Sequence, residues 1–234
     1  MGGQDERGER ILDAAGELLL AWGYRRVTID EVARRAKVGK GTVYLHWRTK
    51  DALLLAVVLR RKLEGQRRQL TRVRRDPREA LPSRMMRGAY LDIVEDPVLR
   101  ALHLVDADVL GKLNDVAHRE LAALMGEGQR ALERYFTLLR GHGLVRDEGD
   151  VARQCYLCTA TTTGFITSEG LLGKDAPFDP QTRAGLLEQT LRAALETSAE
   201  PRPERMAEAA REVVALFGHV EELCLAELRR QVRA

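Results

Sequence analysis

The segment from Val27 to Leu54 carries polar side chains whose types and spacing could do chemistry. A cation, a hydroxyl, a phenol and an imidazole fall within seven residues, at Lys40, Thr42, Tyr44 and His46. These groups form no pair of nucleophile and base, but each can bond to phosphate oxygens or to the edges of bases. The segment therefore favours recognition of a nucleic acid over catalysis.

The pattern around these groups predicts two short helices joined by a tight turn. Thr28 precedes an apolar face, and Glu31 follows three residues later, which is the spacing of a capping box. The turn at Ala36–Gly39 ends the first helix, and Lys40 begins the second. Two helices in this arrangement are typical of a helix-turn-helix.

The second helix begins with small residues. Gly41 and Thr42 would let its backbone approach the floor of the major groove, with its first amides facing phosphate. Lys50, at the start of the next helix, could reach a phosphate across the groove. The predicted DNA contacts are Thr28, Lys40, Gly41, Thr42, Tyr44, His46 and Lys50. The predicted core positions are Val32, Ala33, Val43 and Trp47.

The charge is unevenly distributed along the chain. Residues 1–78 contain 19 Lys and Arg against 10 Asp and Glu, whereas the other residues contain 19 against 25. A basic first third on an acidic remainder is typical of a nucleic-acid-binding domain joined to a non-binding domain. A solvated Arg-rich helix face over Arg60–Arg78 would give the same numbers, so charge alone does not decide between these interpretations.

Apolar residues recur at spacings of three and four along nearly the whole chain, which predicts an all-α protein. The predicted helices span 6–22, 29–36, 40–46, 50–73, 77–94, 97–109, 113–140, 149–171, 180–198 and 203–231. We expect a helix-turn-helix domain at 1–52, a connecting helix at 50–73, and a larger helical domain at 53–234. With no long apolar run and three cysteines, we also expect a cytoplasmic protein that does not enter a membrane.

The larger domain offers weaker candidates for chemistry. Cys155 and Cys158 lack the second pair that zinc would need, so we expect buried thiols and no metal site. In the run Thr159–Gly164, the small residues Ala160 and Gly164 would allow a second helix to approach closely, so this helix could form part of a dimer interface and part of a pocket wall. A helix whose threonine hydroxyls bond to its own preceding turn is an equally good interpretation. The apolar final helix over 207–232 suggests a contribution to a dimer interface. We find no catalytic constellation and expect neither enzyme activity nor a cofactor.

Residues 9–55 resemble the DNA-binding domain of the TetR/AcrR family of bacterial regulators. The matching residues, in order and spacing, are Gly23-Tyr24, Thr28-Ile29, Val32-Ala33, Ala36, Val38, Gly41-Thr42-Val43-Tyr44, Trp47, Lys50 and Leu53. Three positions depart from the family pattern: Lys37 replaces a frequent Gly, Gly39 replaces a frequent Ser, and Trp47 replaces the usual Phe.

The resemblance implies a homodimeric transcriptional repressor that binds an approximately palindromic operator in double-stranded DNA and is released by a small hydrophobic effector. Candidate residues for the effector pocket are Met86, Tyr90, His103, Asp106, Tyr135, Tyr156 and Thr159. A ligand-independent dimeric DNA-binding protein and an all-helical enzyme remain the alternatives. The sequence does not separate a repressor from an activator.

Overall fold

The computed structural model describes residues 2–104, 106–198 and 201–233, and these residues form helices joined by short connections. The helices are α1 (Gly2–Arg26), α2 (Ile29–Ala36), α3 (Lys40–His46), α4 (Lys50–Arg75), α5 (Pro82–Glu95), α6 (Pro97–His103), α7 (Ala107–Leu110), α8 (Leu113–Glu120), α9 (Ala122–Gly141), α10 (Val151–Leu172), α11 (Pro180–Leu195) and α12 (Pro203–Arg233). Short 3-10 turns occupy Pro77–Ala80 and Gly173–Asp175. The predicted all-α fold class is confirmed.

The helix predicted over 77–94 is wrong at its start. Asp76 accepts a hydrogen bond from the amide of Arg78, but the chain that follows forms only a 3-10 turn. Leu81 is then extended, with φ −71° and ψ 143°, and Pro82 begins α5. A proline inside a helix lacks the required N–H, and its ring clashes with the preceding turn. Pro82 therefore forces α5 to begin anew.

Two other predicted helices are each divided in the structure. The predicted helix over 97–109 becomes α6 and α7, because the carboxylate of Asp106 accepts hydrogen bonds from the amides of Asp108 and Val109 at 3.0 and 3.1 Å. Such a side chain competes with the backbone and starts a new helix. The predicted helix over 113–140 becomes α8 and α9, which meet at Leu121 with φ −106° and ψ 11°. Nothing in the structure explains that second break.

The chain folds as two compact units. Unit 1 comprises residues 1–63, 97–124 and 223–234, and unit 2 comprises residues 64–96 and 125–222. The core of unit 1 is built from apolar side chains of α1–α4, α6–α8 and the end of α12, including Leu19, Val43, Trp47, Leu53 and Val57. The largest buried side chains of unit 2 are Tyr90, Tyr135, Phe136 and Leu70.

Two features are absent from the residues that the structure describes. No helix among them has both the length and the apolar character needed to span a membrane. Within the same residues, no cluster of three or more His, Cys, Asp or Glu side chains is placed so that it could hold a metal ion.

Candidate nucleic-acid interface

α2 is held in place by its cap and by its apolar face. The Thr28 hydroxyl accepts a hydrogen bond from the Glu31 amide at 3.3 Å, as the capping box predicts. The Glu31 carboxylate pairs with Arg34 on the next turn. Val32 and Ala33 are buried, so both predictions of a core position are confirmed. α2 therefore packs against the core through one face and supports the turn that follows.

The turn between α2 and α3 depends on a left-handed residue. Lys37 has φ 56° and ψ 46°, and the Val38 amide donates to the Ala33 carbonyl at 3.0 Å. A side chain in this conformation costs about 1 kcal/mol relative to glycine, which explains why glycine is frequent here in the family pattern. Gly39 precedes α3 as its N-cap residue and provides no side-chain hydrogen bond to the first turn. The departures at Lys37 and Gly39 thus leave the turn intact.

α3 has one buried face and one exposed face. Val43 and Trp47 are 0% and 1% exposed, and they hold the helix against the core of unit 1 as predicted. On the other side, a Cβ built on Gly41 would meet no atom within 4 Å. Tyr44 is 45% exposed and Leu45 is 82% exposed. The helix is therefore open to a partner along the face that begins at Gly41.

Leu45 is a candidate contact that the polar residues of this segment do not indicate. It lies four residues after Gly41, on the same helix face, and it has the largest exposed fraction among the large apolar side chains that the structure describes. An apolar side chain in the major groove can contact the methyl group of thymine. Helical spacing from Gly41 would have identified it.

Two predicted contact residues of α3 already have neighbours within unit 1. The Lys40 ammonium lies 2.9 Å from the Asp30 carboxylate, and both side chains are more than half exposed. The hydrogen bond to Asp30 raises the pKa of Lys40. His46 is half-buried, with its ring centroid 5.3 Å from that of Trp47. Thr42 is also half-buried.

Lys50 is held by the end of α1. Its ammonium donates to the Tyr24 carbonyl at 2.9 Å and lies 4.1 Å from the centroid of the Tyr24 ring. The Tyr24 hydroxyl in turn donates to the Asp51 carboxylate at 2.7 Å. Burial and that hydrogen bond raise the pKa of Tyr24 to about 12, so the phenol stays protonated. Lys50, which was predicted to contact phosphate, thus links the end of α1 to the start of α4.

An open groove of about 630 Å³ lies beside α1 and α2 in unit 1. Its lining residues are Arg10, Asp13, Ala14, Glu17, Arg35, Ala36 and Lys37. Arg35 and Glu17 are ion-paired across it at 2.5 Å, and both are more than half exposed. None of these lining residues belongs to α3.

The seven candidate pocket residues are divided between the two units, with two in unit 1 and five in unit 2. Within unit 1, His103 Nδ1 lies 2.8 Å from the Leu99 carbonyl oxygen, and Asp106 caps α7. The other five belong to unit 2, where Met86 is half-buried and Tyr156 and Thr159 are exposed.

The two buried tyrosines of this set each have their own polar partners. Tyr90 bonds to Glu169 and Arg183, whereas the Tyr135 hydroxyl donates to the Ala80 carbonyl at 2.9 Å. Both phenol groups are therefore already satisfied by the protein.

Comparison with known proteins places this geometry in a family. The family model described as "Bacterial regulatory proteins, tetR family" matches residues 11–57. An uncharacterized HTH-type transcriptional regulator of Mycobacterium bovis, Mb2274c, is 32% identical over 139 residues, which cover 54% of this chain and 68% of that protein. The HTH-type transcriptional activator FasR of Mycolicibacterium smegmatis is 37% identical over 94 residues, which cover 39% of this chain and 42% of FasR.

The first curated relatives are matched over less than half of their own length, between 17% and 42%. Among solved structures, NalD, the secondary repressor of the MexAB-OprM multidrug efflux pump in Pseudomonas aeruginosa, aligns with a TM-score of 0.61. That alignment covers 85% of this chain and all of NalD at 19% identity, so it supports the fold alone. The match to Mb2274c extends well beyond the helix-turn-helix. The chain belongs to the TetR family of helix-turn-helix transcriptional regulators.

Proposed function

We propose that this protein is a homodimeric, sequence-specific repressor that binds an approximately palindromic operator and is released from it by a small hydrophobic effector. The observation that carries the proposal is the outward face of α3, where Gly41 is open and Tyr44 and Leu45 are exposed. The buried Val43 and Trp47 fix that face relative to the core. We assign DNA binding to residues 1–52, and dimerisation and effector binding to residues 53–234.

The dimensions of α3 suit the major groove. An α-helix with its side chains is about 10–12 Å in diameter, and the groove is about 12 Å wide. Tyr44, Thr42 and His46 would contact backbone or base edges, and Thr28 would contact the flanking phosphates. Lys40 would exchange Asp30 for a phosphate, since an exposed ion pair contributes little free energy in water.

Lys50 has a less direct part in this proposal. With its ammonium held by Tyr24, it would contribute positive potential beside the groove and keep the start of α4 in place. A direct contact with phosphate would require it to leave the Tyr24 carbonyl.

The dimer would form through the exposed face of α10 in unit 2. Small residues dominate this face, which is exposed at Tyr156, Thr159, Ala160, Thr163 and Gly164. Small side chains allow two helices to approach closely, as in a four-helix interface. Two helix-turn-helix segments would then enter successive major grooves, about 34 Å apart.

Repression and release rest on the family membership and on the relatives. NalD is named a repressor, whereas FasR is named an activator. Repression, as opposed to activation, therefore has to be tested by measuring transcription from the operator. An effector that favours a conformer with the wrong spacing of the two helix-turn-helix segments would weaken operator binding. A coupling of about 1–3 kcal/mol corresponds to roughly 5- to 150-fold. The cytoplasm is where such a regulator would meet its operator.

The test begins with selection of bound sites from a random DNA library, followed by fluorescence anisotropy on the selected duplex. We expect Tyr44→Ala to weaken binding at least tenfold. We expect Lys40→Ala to weaken binding to all sequences similarly and to reduce the slope of log affinity against log salt by about 2, because each protomer of the dimer loses one phosphate contact. Arg130→Ala is the matched control, because Arg130 is also an exposed cation paired with one carboxylate, Glu127, but lies on α9. Equal effects of Lys40→Ala and Arg130→Ala would contradict the proposed interface.

Release is tested separately on the same duplex. A library of small hydrophobic compounds is screened for loss of anisotropy, and hits are checked for a rise in melting temperature of the DNA-free protein. Operator binding that is unchanged throughout the library would favour the ligand-independent alternative. Failure to select any DNA sequence would reopen the possibility of an all-helical enzyme.

A further inference from the structure

The C-terminal end of α1 is broken at Gly23, and α7 packs directly on the break. Gly23 has φ 72° and ψ 161°, a left-handed backbone that favours glycine. A Cβ at this position would overlap the carbonyl oxygen of Asp108 and lie 3.3 Å from its carbonyl carbon. One residue further on, the Tyr24 ring fills the space over Gly111, where a Cβ would lie 3.2 Å from a ring carbon. The backbone around α7 therefore sets the position of Gly23 and Tyr24.

α7 is only four residues long, and one side chain holds its first turn. The Asp106 carboxylate accepts hydrogen bonds from the amides of Asp108 and Val109, and the Leu110 amide donates to the Asp106 carbonyl at 2.8 Å. Isolated helices of this length are unstable in water, so the cap decides whether the turn stays formed. The carbonyl of Asp108 that lies over Gly23 belongs to this capped turn.

Tyr24 connects the break at Gly23 to the start of α4. Its carbonyl and ring hold Lys50, and its hydroxyl holds Asp51. Only three residues, Trp47 to Thr49, separate the end of α3 from Lys50, and Trp47 is buried in the core. A continuous series of contacts within unit 1 thus runs from Asp106 through Gly23 and Tyr24 to the connection that follows α3.

We infer that Asp106 is a positioning residue for DNA binding: by capping α7 it holds the break at Gly23 and, through Tyr24, the orientation of α3. This inference rests on the proposed function and adds an element through which that function can be regulated. A conformational change in the α6–α7 connection would therefore alter the orientation of α3 through its contacts with the end of α1. The assignment also gives Asp106 a role different from that of a pocket residue.

The test compares three variants by anisotropy on the selected operator. Asp106→Ala removes the cap, and we expect affinity for an isolated half-site to fall about fivefold, the factor that corresponds to loss of one helix cap, and affinity of the dimer for the full operator to fall about 25-fold. Asp106→Asn keeps the accepting oxygen and should bind within twofold of wild type. Because Asp106→Ala also removes a negative charge, electrostatics alone would strengthen DNA binding, so the sign of the change separates the two causes.

Asp179→Ala is the matched control, since Asp179 caps α11 in unit 2 through the amides of Gln181 and Thr182. It should bind the operator as wild type does. An Asp106→Ala variant that binds like Asp179→Ala would overturn the inference, and so would an Asp106→Asn variant as weak as Asp106→Ala.

A second readout needs no DNA. Hydrogen exchange of the free protein should become faster in Asp106→Ala at residues 106–111 and also at 23–26, but not in Asp179→Ala. Unchanged exchange at 23–26 would overturn the inference whether or not the protein binds DNA. Failure of the wild type to select any operator would instead count against the proposed function.

Discussion

Cys155 and Cys158 lie three residues apart on α10, and their side chains turn into unit 2. They are 4% and 1% exposed, and Cys224 on α12 is 4% exposed in unit 1. Burial raises the pKa of the Cys158 thiol to about 12, and burial also raises the pKa of Cys155. Since the thiolate is the reactive form, all three thiols should be inert in the folded protein.

This inertness is directly measurable. At pH 8 we expect the folded protein to react with an aromatic disulfide reagent over hours, and the urea-unfolded protein to release three equivalents within minutes. While it is buried, a thiol with a pKa of about 12 is ionised to roughly one part in ten thousand at that pH, so reaction has to wait until the thiol becomes exposed. A single fast thiol in the folded state would show that the C-x-x-C pair is accessible and reopen its reading as a reactive or metal-binding motif.

Some features of individual residues could be predicted from the sequence, and others could not. The burial of Val43 and Trp47 followed from helical spacing, because apolar residues on one face of a short helix must be covered. The contact of Lys50 with Tyr24 could not be predicted, because it joins residues 26 positions apart whose approach depends on the break at Gly23. Sequence spacing describes one helix at a time and contains no information on contacts between residues of two distant helices.

Between elements, a buried polar network in unit 2 joins Tyr90 on α5, Glu169 on α10 and Arg183 on α11. Arg183 bonds to the Glu169 carboxylate at 2.6 and 2.9 Å and to the Tyr90 hydroxyl at 3.2 Å. Tyr90 also donates to Glu169, and burial raises its pKa to about 12, so it remains a donor at any working pH. The charged pair is only 15% and 11% exposed, which makes the network costly to leave half complete.

We therefore expect Arg183→Met to lower the free energy of unfolding by about 3 kcal/mol, because it leaves the Glu169 carboxylate with the Tyr90 hydroxyl alone. The triple variant Arg183→Met, Glu169→Met and Tyr90→Phe should recover most of that loss, since apolar side chains can replace a buried ion pair and no buried hydroxyl is left without a partner. Urea unfolding followed by circular dichroism, at one protein concentration, measures both.

Arg192→Met is the control on the same helix, because Arg192 is 53% exposed in its pair with Glu188. It should cost less than about 0.5 kcal/mol. If Arg183→Met and Arg192→Met cost the same, the buried network does not join α5, α10 and α11 energetically.

Element boundaries were predictable where the signal was local. The bounds of α2 and α3 follow from the Thr28 cap and from the turn before Lys40, which act within a few residues. The division of α8 from α9 at Leu121 has no comparable signal, since neither proline nor glycine stands there. Asp106 is a local signal for the start of α7, because aspartate is a preferred helix cap. It was instead predicted from the sequence as a pocket residue.

At the scale of the whole molecule, the proposed dimer needs a surface through which two copies would meet. The apolar face of α12 was predicted to contribute, but much of it is covered by the chain itself: Val213 is fully buried, and the Phe217 ring lies 5.6 Å from that of Tyr135. α10 instead presents Tyr156 at 73% exposed and Leu171 at 81%. Small residues lie between them on the exposed side of the same helix, so this face is the better candidate for burial in a dimer.

Gly164 allows that interface to be tested without disturbing the fold of one chain. It is exposed on α10, and a Cβ there would meet no atom within 4 Å. An arginine would therefore fit in the monomer, and replacing a helical glycine should if anything favour the helix. Two helices packed through this face lie about 8–10 Å apart, which leaves no room for the longer side chain.

We expect light scattering after size exclusion to give about twice 26.3 kDa for the wild type and a single-chain mass for Gly164→Arg. Gly128→Arg on α9 is the matched control, since it too is a helical glycine whose Cβ position is open, and it should remain dimeric. Because a palindrome is read by two linked segments, Gly164→Arg should lose affinity for the full operator while binding an isolated half-site as the wild type does. A Gly164→Arg protein that keeps the dimer mass would show that the two copies meet through a different surface.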